Sequence, residues 1–416
     1  MNHQSVAPAA LEPSAPSEPG GPTRLSVQDA ASGVEYDFND GCRVYCPSGS
    51  KWRVVIKDLD TGNVLFSHEF SGGITQSARR SYVRFGVEVW REQELVFEHE
   101  YNAANQLVKI DMSLGALGDH LAWFGQIERF VQKTSCRLTC VMKRPLIDLL
   151  QPAYPHIRMI TPQDVDNDKT PYYASYKVCV FFNDHTGLYQ PSDYRLVGLC
   201  ATAAYILGLP PVEARPLLPA LNTRRPIEEP YVCIAVQASG QSKYWNNPTG
   251  WRDVVAHLKQ RGYRVICIDQ QALAGRNLTW TPIPHGAEDQ TGNRSLLERA
   301  WWLKHAAFFV GLSSGLSWLA WAAQCPVVMV SGFTHPQNEF STPYRVINFN
   351  VCNSCANDVR HRFEPTDYFW CPRHAGTARH FECTRLITST QTISMINQLE
   401  SDLFGQASPS GGPVNV

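Results

Sequence analysis

Short alternating runs of hydrophobic and polar residues fill the first part of the chain, between residues 36 and 99. The runs RVYC, KWRVVIKDL, NVLFSHEF and YVRFGVEVWR are separated by the turn sequences PSGS, DTG and SGG. Strands of this length with frequent turns are typical of a small antiparallel sheet or barrel. The pattern predicts a β-rich, barrel-like domain over residues 31–104, of the kind that serves docking or assembly.

From residue 105 the pattern changes to apolar strands that alternate with amphipathic helices. The strand-like run QLVKIDMSL is followed by the loop GALGD and by HLAWFGQIERFVQK, whose apolar residues recur at helical spacing. After the Pro-rich segment LLPALNTRRPIEEP the alternation starts again with YVCIAVQAS. Two such series predict an α/β protein with two doubly wound, Rossmann-like domains, over residues 105–220 and 221–416.

The N-terminal segment, an uncharged window, the net charge and the cysteine content indicate where the protein acts and which partners it lacks. Residues 1–30 are rich in Pro, Ala and Ser and lack the basic start and apolar run of a signal peptide, so we expect a disordered lead-in. The uncharged window 306–333 contains Gly, Ser and Pro, which favours strand, loop, helix and strand over a membrane span. A net charge of -1 argues against nucleic acid as a partner. Because the chain has thirteen cysteines and its first residues do not resemble an export signal, we expect a reducing compartment, with the cytoplasm as the default.

The first loop that could carry chemistry is GALGDH, between a strand and a helix of residues 105–220. Gly115 and Gly118 allow the chain to turn sharply, and Asp119 falls at the start of the helix. Asp caps helices well, so capping of the free backbone amides is one interpretation. At the helix start the Asp119 carboxylate also faces the cleft between the two predicted domains.

Two further loops precede helices in residues 221–416. In SGQSKYW, Ser239 and Gly240 permit close approach of the backbone to an anion, and Lys243 offers a flexible positive charge. In GLSSGLSW, small residues at a helix start suit a phosphate cradle. A solvated lysine and ordinary serine capping are the alternatives. The candidate residues of the third loop are Ser313, Ser314, Gly315 and Leu316.

A cysteine cluster lies over residues 351–385. Cys352 and Cys355 form a CxxC pair, and Cys371 and Cys383 follow it. Four thiolates make a tetrahedral site that zinc or a single iron would accept, and disulfides are the alternative. The histidines of the segment could compete as ligands. A closed four-cysteine sphere leaves no position for substrate, so we predict that a metal here is structural.

The segments GALGDHLAW, SGQSKYW, GLSSGLSWLAWA and PVVMVSGFTHP together resemble the heptosyltransferase family of glycosyltransferases with the GT-B fold. In particular they resemble the bacterial autotransporter heptosyltransferases, which add an N-terminal β-barrel-like module and a four-cysteine iron finger. Both additions have counterparts here, and the resemblance covers nearly the whole chain after the lead-in. It implies two Rossmann-like domains of GT-B type, a small β-barrel-like domain before them and a C-terminal four-cysteine metal finger.

The resemblance also implies roles for individual residues. Asp119 matches the general base, and Lys243 matches the lysine that holds the nucleotide diphosphate. The third loop matches the cradle of the diphosphate and ribose, where the family often has an acidic residue before Thr-Gly. The expected substrate-binding residues are Gly118, Ser239, Lys243, Ser313, Ser314, Gly315 and Leu316. The expected ligands of one structural iron per subunit are Cys352, Cys355, Cys371 and Cys383.

The implied reaction is inverting transfer of heptose from ADP-heptose to serine hydroxyls of autotransporter adhesins, in the bacterial cytoplasm. The passenger domain of an autotransporter is then the acceptor. The implied assembly is a large ring-shaped homo-oligomer, with a dodecamer as the candidate size. Two other functions stay open: a heptosyltransferase for lipopolysaccharide core sugars, and a non-catalytic GT-B scaffold. Zinc stays open as the alternative to iron, because thiolate chemistry alone favours it.

Overall fold

The computed structural model of the protein describes residues 25–405, which form two compact units. Unit 1 contains residues 25–115, 123–214 and 364–366, and unit 2 contains residues 116–122, 215–363 and 367–405. Most residues of the segments predicted as the barrel-like domain and the first Rossmann-like domain therefore share one unit, whose main part ends at Ala214. Residues 1–24 of the predicted lead-in lie outside the described residues. The rest of it is ordered, because Leu25 is buried and Val27–Gln28 forms a strand.

Unit 1 is built of strands β1–β12 and helices α1–α3. The strands are β1 (Val27–Gln28), β2 (Glu35–Asn39), β3 (Arg43–Cys46), β4 (Trp52–Asp58), β5 (Val64–Phe70), β6 (Gly73–Gln76), β7 (Phe85–Arg91), β8 (Glu94–Glu100), β9 (Leu107–Asp111), β10 (Arg137–Val141), β11 (Arg158–Ile160) and β12 (Ala174–Lys177). The helices are α1 (Leu117–Thr134), α2 (Arg144–Leu150) and α3 (Tyr194–Ile206). The first turns of α1, residues 117–122, count with unit 2.

The barrel-like domain predicted over residues 31–104 is wrong as an architecture, because the described residues contain no closed barrel there. Strands β2, β3 and β6 extend the sheet of unit 1, in the order β11-β10-β9-β12-β2-β3-β6, with β1 beside β2. Strand β2 pairs in parallel with β12, and its central residues 36–38 are buried on both faces, as in an interior strand. Strands β4, β5, β7 and β8 form a separate antiparallel sheet in the order β5-β4-β7-β8.

Unit 2 is built of strands β13–β20 and helices α4–α8. The strands are β13 (Tyr231–Ile234), β14 (Arg264–Cys267), β15 (Leu273–Arg276), β16 (Thr279–Pro282), β17 (Glu288–Asp289), β18 (Phe309–Leu312), β19 (Val327–Val330) and β20 (Arg345–Val346). The helices are α4 (Gly250–Gln260), α5 (Leu296–His305), α6 (Gly315–Ala322), α7 (Glu382–Arg385) and α8 (Ser389–Phe404). All strands except the hairpin β15-β16 form one parallel sheet, in the order β17-β14-β13-β18-β19-β20.

The parallel sheets confirm the predicted α/β class. Strands β13, β18 and β19 are buried along their whole length, because their runs contain no charged residue, are mostly Val, Ile, Leu and Phe, and suit a sheet covered on both faces. The uncharged window 306–333 forms β18, α6 and β19, as predicted. In residues 25–405, no helix has both the length and the apolar character needed to cross a lipid bilayer.

The strand orders locate the switch points where doubly wound sheets bind ligands. In unit 2 the chain runs from β13 to β14 in one direction and from β18 to β19 in the other, so the switch lies between β13 and β18. In unit 1 the corresponding position lies between β9 and β12. The three candidate loops follow β9, β13 and β18. Each loop therefore leaves a switch-point strand at its carboxyl end.

Candidate active site

The loop after β9 places Asp119 in the first turn of α1. Gly115 has a φ of 105°, a conformation that glycine adopts without strain, and it reverses the chain before the helix. One oxygen of the Asp119 carboxylate accepts a hydrogen bond from the Ala116 backbone amide at 2.7 Å. The capping interpretation is therefore correct for that oxygen. Within residues 25–405 the other oxygen makes no hydrogen bond, so it is free to accept a proton.

The loop after β13 places Lys243 at the end of a short 3-10 helix, Gln241–Lys243. The Lys243 ammonium lies 5.5 Å from the ring centroid of Phe333, a cation–π contact. Its side chain is half-buried, and in the described part of the chain it forms no ion pair. A fixed, unpaired ammonium beside a switch point suits a diphosphate. Ser239 is exposed on the same loop.

The loop after β18 leads into α6, with Ser314 at the N-cap position. The Ser314 hydroxyl does not cap the helix, and it is shielded from solvent without a hydrogen-bond partner among residues 25–405. Serine capping is therefore not its role here. The first backbone amides of a helix also lack intrahelical partners, and the helix dipole favours an anion there. Leu316 is half-buried in this first turn. The Ser313 hydroxyl is buried and contacts Thr334 and Glu339.

Two glycines allow the start of α1 to pack directly on the start of α6. A Cβ atom on Gly118 would lie 2.7 Å from Cδ1 of Trp318, and one on Gly315 would lie 2.8 Å from Cβ of Leu117. Neither distance leaves room for a methyl group. The turn that carries Asp119 and the loop of Ser314 are therefore neighbours in unit 2. Contact of either glycine with substrate stays a prediction.

Sequence reasoning missed two residues of this site. Phe333 lies in the segment SGFTHP, but no spacing marks it as the surface on which Lys243 rests. Glu339 contacts Ser313 across 26 positions of sequence. A contact between residues so far apart has no local periodic signal, and only the packing of strand ends brings them together.

Of the four cysteines of residues 351–385, Cys352 and Cys355 contact each other. Among the described residues no three of the four thiols lie within 4.8 Å of one another, so the predicted four-cysteine finger is not confirmed. The Sγ atoms of Cys352 and Cys355 are 3.8 Å apart. Metal–sulfur bonds of about 2.3 Å in a tetrahedral site place thiolates about 3.8 Å apart, so this pair fits such a site. Burial, with the neighbouring thiols of Cys352 and Cys371, raises the pKa of Cys383 to about 12. All thirteen cysteines are free thiols, so the disulfide alternative is not observed.

A mixed ligand set is also available at the cysteine cluster. Ligand atoms of Cys352, His374 and Glu382 lie within 4.8 Å of one another. The Glu382 carboxylate, however, accepts hydrogen bonds from Arg379 at 2.6 and 2.8 Å and from the Cys352 backbone amide at 3.1 Å. Arg379 holds the pKa of Glu382 at about 2, so this carboxylate is ionised and committed to holding the CxxC loop.

The cysteine segment is joined to the loops after β13 and β19. The Gln241 backbone amide donates to the Tyr368 carbonyl at 2.8 Å, and the Ala356 amide donates to the Phe333 carbonyl at 3.1 Å. An apolar cluster connects the same elements and comprises Phe333, Cys355 and Trp370. Because the Lys243 ammonium contacts the ring of Phe333, a change in the conformation of the cysteine segment would change the position of the ammonium.

Comparison with known proteins decides the family. The family described as "Glycosyltransferase TibC, N-terminal domain" matches residues 30–93, and "Glycosyltransferase family 9 (heptosyltransferase)" matches residues 211–366. The autotransporter heptosyltransferase BAHTCr of Citrobacter rodentium is 47% identical over 387 residues, which are 92% of this chain and 93% of the relative. The chain belongs to the autotransporter heptosyltransferase family.

Two other members of the autotransporter heptosyltransferase family bear on structure and activity. A crystal structure of TibC, described as a dodecameric iron-containing heptosyltransferase in complex with ADP-D-beta-D-heptose, is 45% identical, with a TM-score of 0.87 over 92% of this chain and 100% of that chain. BimC of Burkholderia thailandensis, named an inactive autotransporter heptosyltransferase, is 40% identical over 94% of this chain and 95% of its own. The family therefore includes a relative that is named inactive, and the roles of individual residues need direct tests.

One buried carboxylate of this heptosyltransferase predicts a pH effect on stability. Asp269, which is 1% exposed, accepts hydrogen bonds from the backbone amides of Val236 at 2.7 Å and Gln237 at 3.3 Å, just before the Lys243 loop. Burial raises its pKa to about 6. Because the folded chain binds the proton more tightly than the unfolded chain, the free energy of unfolding should fall as pH rises from about 4 to about 6.

The variant Asp269→Asn removes this titration and keeps one oxygen for the Val236 amide, which bonds to Oδ2, while the longer bond from Gln237 to Oδ1 is lost. Relative to this variant, the wild type should lose about 2 kcal/mol of stability between pH 4 and pH 6. Denaturant unfolding of both proteins across that range measures the difference. Parallel pH profiles would show that Asp269 does not titrate in this way.

Proposed function

We propose that the protein is an inverting protein O-heptosyltransferase that moves heptose from ADP-heptose to serine hydroxyls of an autotransporter passenger domain. The main support for this proposal is the match, over nearly the whole chain, to three autotransporter heptosyltransferases at 46–47% identity and to the structure of TibC in complex with ADP-heptose. The switch-point loops supply groups of the required chemistry. They offer a carboxylate with a free oxygen, an unpaired ammonium and the amides at the start of α6.

In this mechanism the hydroxyl oxygen of the acceptor serine attacks the anomeric carbon of heptose, and Asp119 accepts the proton of that hydroxyl. The bond from that carbon to the ADP oxygen breaks in the same step, so the configuration inverts. Lys243 and the first amides of α6 stabilise the charge that develops on departing ADP. The Ser314 hydroxyl donates a hydrogen bond to the phosphates of ADP. Contacts of Ser239, Gly118, Gly315 and Leu316 with the donor belong to this proposal.

We infer that Cys352, Cys355, Cys371 and Cys383 hold one iron ion. The 3.8 Å spacing of the Cys352–Cys355 pair fits a tetrahedral site, and a homologue of 45% identity is described as iron-containing. When bound, the ion crosslinks the segment and supplies no chemistry to the transfer step. Metal analysis with a visible spectrum distinguishes the metals, because a colourless, zinc-loaded protein would refute iron.

Assembly and location complete the proposal. TibC is described as dodecameric, so we expect a large homo-oligomer here. Thirteen free thiols suit a reducing compartment and favour action in the bacterial cytoplasm. Light scattering of the purified protein tests the first expectation, and fractionation of cells tests the second.

One incubation separates the candidate functions. The protein is mixed with ADP-heptose and an autotransporter passenger fragment, and in parallel with a lipopolysaccharide core acceptor. A heptose mass gain on the passenger supports the proposal. Transfer only to the lipid core supports the core enzyme. Transfer to neither supports a non-catalytic scaffold, the state that the name of BimC describes.

Replacing Lys243 by Met should weaken ADP binding by about ten- to a hundredfold, because a hydrogen bond to a charged group is worth about 1.5 to 3 kcal/mol. Met keeps an apolar side chain over Phe333 and removes only the charge. Titration calorimetry with ADP measures the affinity. Lys259→Met, in the last turn of α4, is the matched control and should bind ADP as the wild type does. Equal affinity of the Lys243 variant and the wild type would remove Lys243 from the site.

A further inference from the structure

We propose that Glu339 is a positioning residue that fixes two donor-binding loops through a single carboxylate. This inference rests on the proposed function, since it assigns a role in binding ADP-heptose. Glu339 lies outside the three loops that the sequence marks, on the segment between β19 and β20. It is 8% exposed, so its carboxylate must find all its partners inside the protein.

The contacts of Glu339 cover both oxygens of the carboxylate. Oε1 accepts hydrogen bonds from the hydroxyls of Ser313 and Thr334, and Oε2 forms a salt bridge with Arg345. The two hydroxyl oxygens also lie 2.8 Å apart. Ser331 adds a bond of 3.1 Å to Thr334. Every partner is contributed by the end of β18, the loop after β19 or the start of β20.

Arg345 makes this buried charge tolerable. Its side chain is 9% exposed, and it also donates to the Phe340 carbonyl at 3.3 Å. Strand β20 pairs with β19, with Arg345 opposite Met329, so the guanidinium is fixed to the sheet. Removing one partner of such a pair leaves an uncompensated charge, so the ion pair supports stability. The other carboxylate oxygen, Oε1, has a separate role, because it holds the hydroxyls of Ser313 and Thr334.

The hydroxyl contacts reach both parts of the donor site. Ser313 directly precedes Ser314, the N-cap of α6, whose amides are proposed to bind the diphosphate. Thr334 directly follows Phe333, on which the Lys243 ammonium rests at 5.5 Å. One carboxylate therefore sets the position of the α6 N-terminus and of the surface beneath Lys243. A displacement of about 1 Å in such a site can cost about a hundredfold in rate.

Two variants separate positioning from stability. Thr334→Val keeps the shape and the Glu339–Arg345 ion pair but removes the tether to the loop after β19. Glu339→Gln keeps an oxygen for the two hydroxyls but leaves Arg345 without its anion. We expect Thr334→Val to raise the Kd for ADP and the KM for ADP-heptose roughly tenfold with a small change in Tm. Glu339→Gln should lower Tm more and raise Kd less.

Glu400→Ala is the matched control. Glu400 is also a buried glutamate of unit 2, 6% exposed, and it pairs with an arginine, Arg261 at 3.3 Å, but it lies on α8. This variant should lose stability without a change in ADP affinity. Calorimetry for ADP, steady-state kinetics for ADP-heptose and thermal unfolding are measured on the whole chain for all three variants.

The inference is overturned if affinity follows Tm across the three variants, or if Thr334→Val binds ADP as tightly as the wild type. A wild type that binds no ADP would refute the proposed function instead. In that event the hydrogen-bond network is still testable, since a double-mutant cycle on Tm measures the coupling of Glu339 to Thr334.

Discussion

Replacing Asp119 by Asn should lower the rate of heptose transfer by about a hundred- to ten-thousandfold, while ADP affinity stays within about threefold of the wild type. Asn retains a side-chain oxygen for the Ala116 backbone amide, so the start of α1 is preserved. It cannot accept the serine proton as a carboxylate does. The substitution therefore isolates proton transfer from helix capping.

The measurement combines initial rates of passenger modification with calorimetry for ADP. Asp253→Asn is a matched control, because Asp253 occupies the first turn of α4 and accepts a hydrogen bond from Thr249 at 2.7 Å. It should transfer heptose at the wild-type rate. Asp119→Ala should be as inactive as Asp119→Asn and less stable by about 1 kcal/mol, the usual cost of losing a cap. Full transfer by the Asn variant would contradict the assignment of Asp119 as the base.

Replacing Cys355 by Ser should remove most of the bound metal and raise the Kd for ADP at least about tenfold. Cys355 is 7% exposed and packs in the cluster with Phe333 and Trp370. Loss of the crosslink releases the backbone contacts of this segment with Gln241 and Phe333. The Phe333 ring beneath the Lys243 ammonium is then no longer held in place, although the proposed mechanism assigns the metal no part in the transfer step.

Metal analysis, visible absorption and ADP calorimetry on the same preparation test this chain of effects. Cys325→Ser is the control, because Cys325 is equally buried in unit 2 and lies outside residues 351–385. It should keep the metal and the affinity for ADP. Normal metal content in the Cys355 variant would exclude that thiol as a ligand. Metal loss with unchanged ADP affinity would show that the segment does not support the donor loops.

Features that depend on neighbouring residues could be predicted from the sequence, whereas features that depend on contacts between residues distant in the chain could not. The α/β class and the three loops were predictable, because period and local spacing report directly on strands, helices and the turns between them. The barrel-like domain was wrong. Alternation identifies strands such as β2 and β3, but strand pairing depends on distant partners such as β12.

By itself, the sequence determined which residue types stand after which strands: Asp119 after β9, Lys243 after β13 and Ser314 after β18. It also determined four cysteines close enough along the chain to form one cluster. Only the tertiary structure decided that β13 and β18 are neighbours, that Phe333 lies beneath Lys243 and that Glu339 reaches Ser313. These contacts join residues far apart in the chain, and the burial of whole strands brings them together, a property that no local pattern encodes.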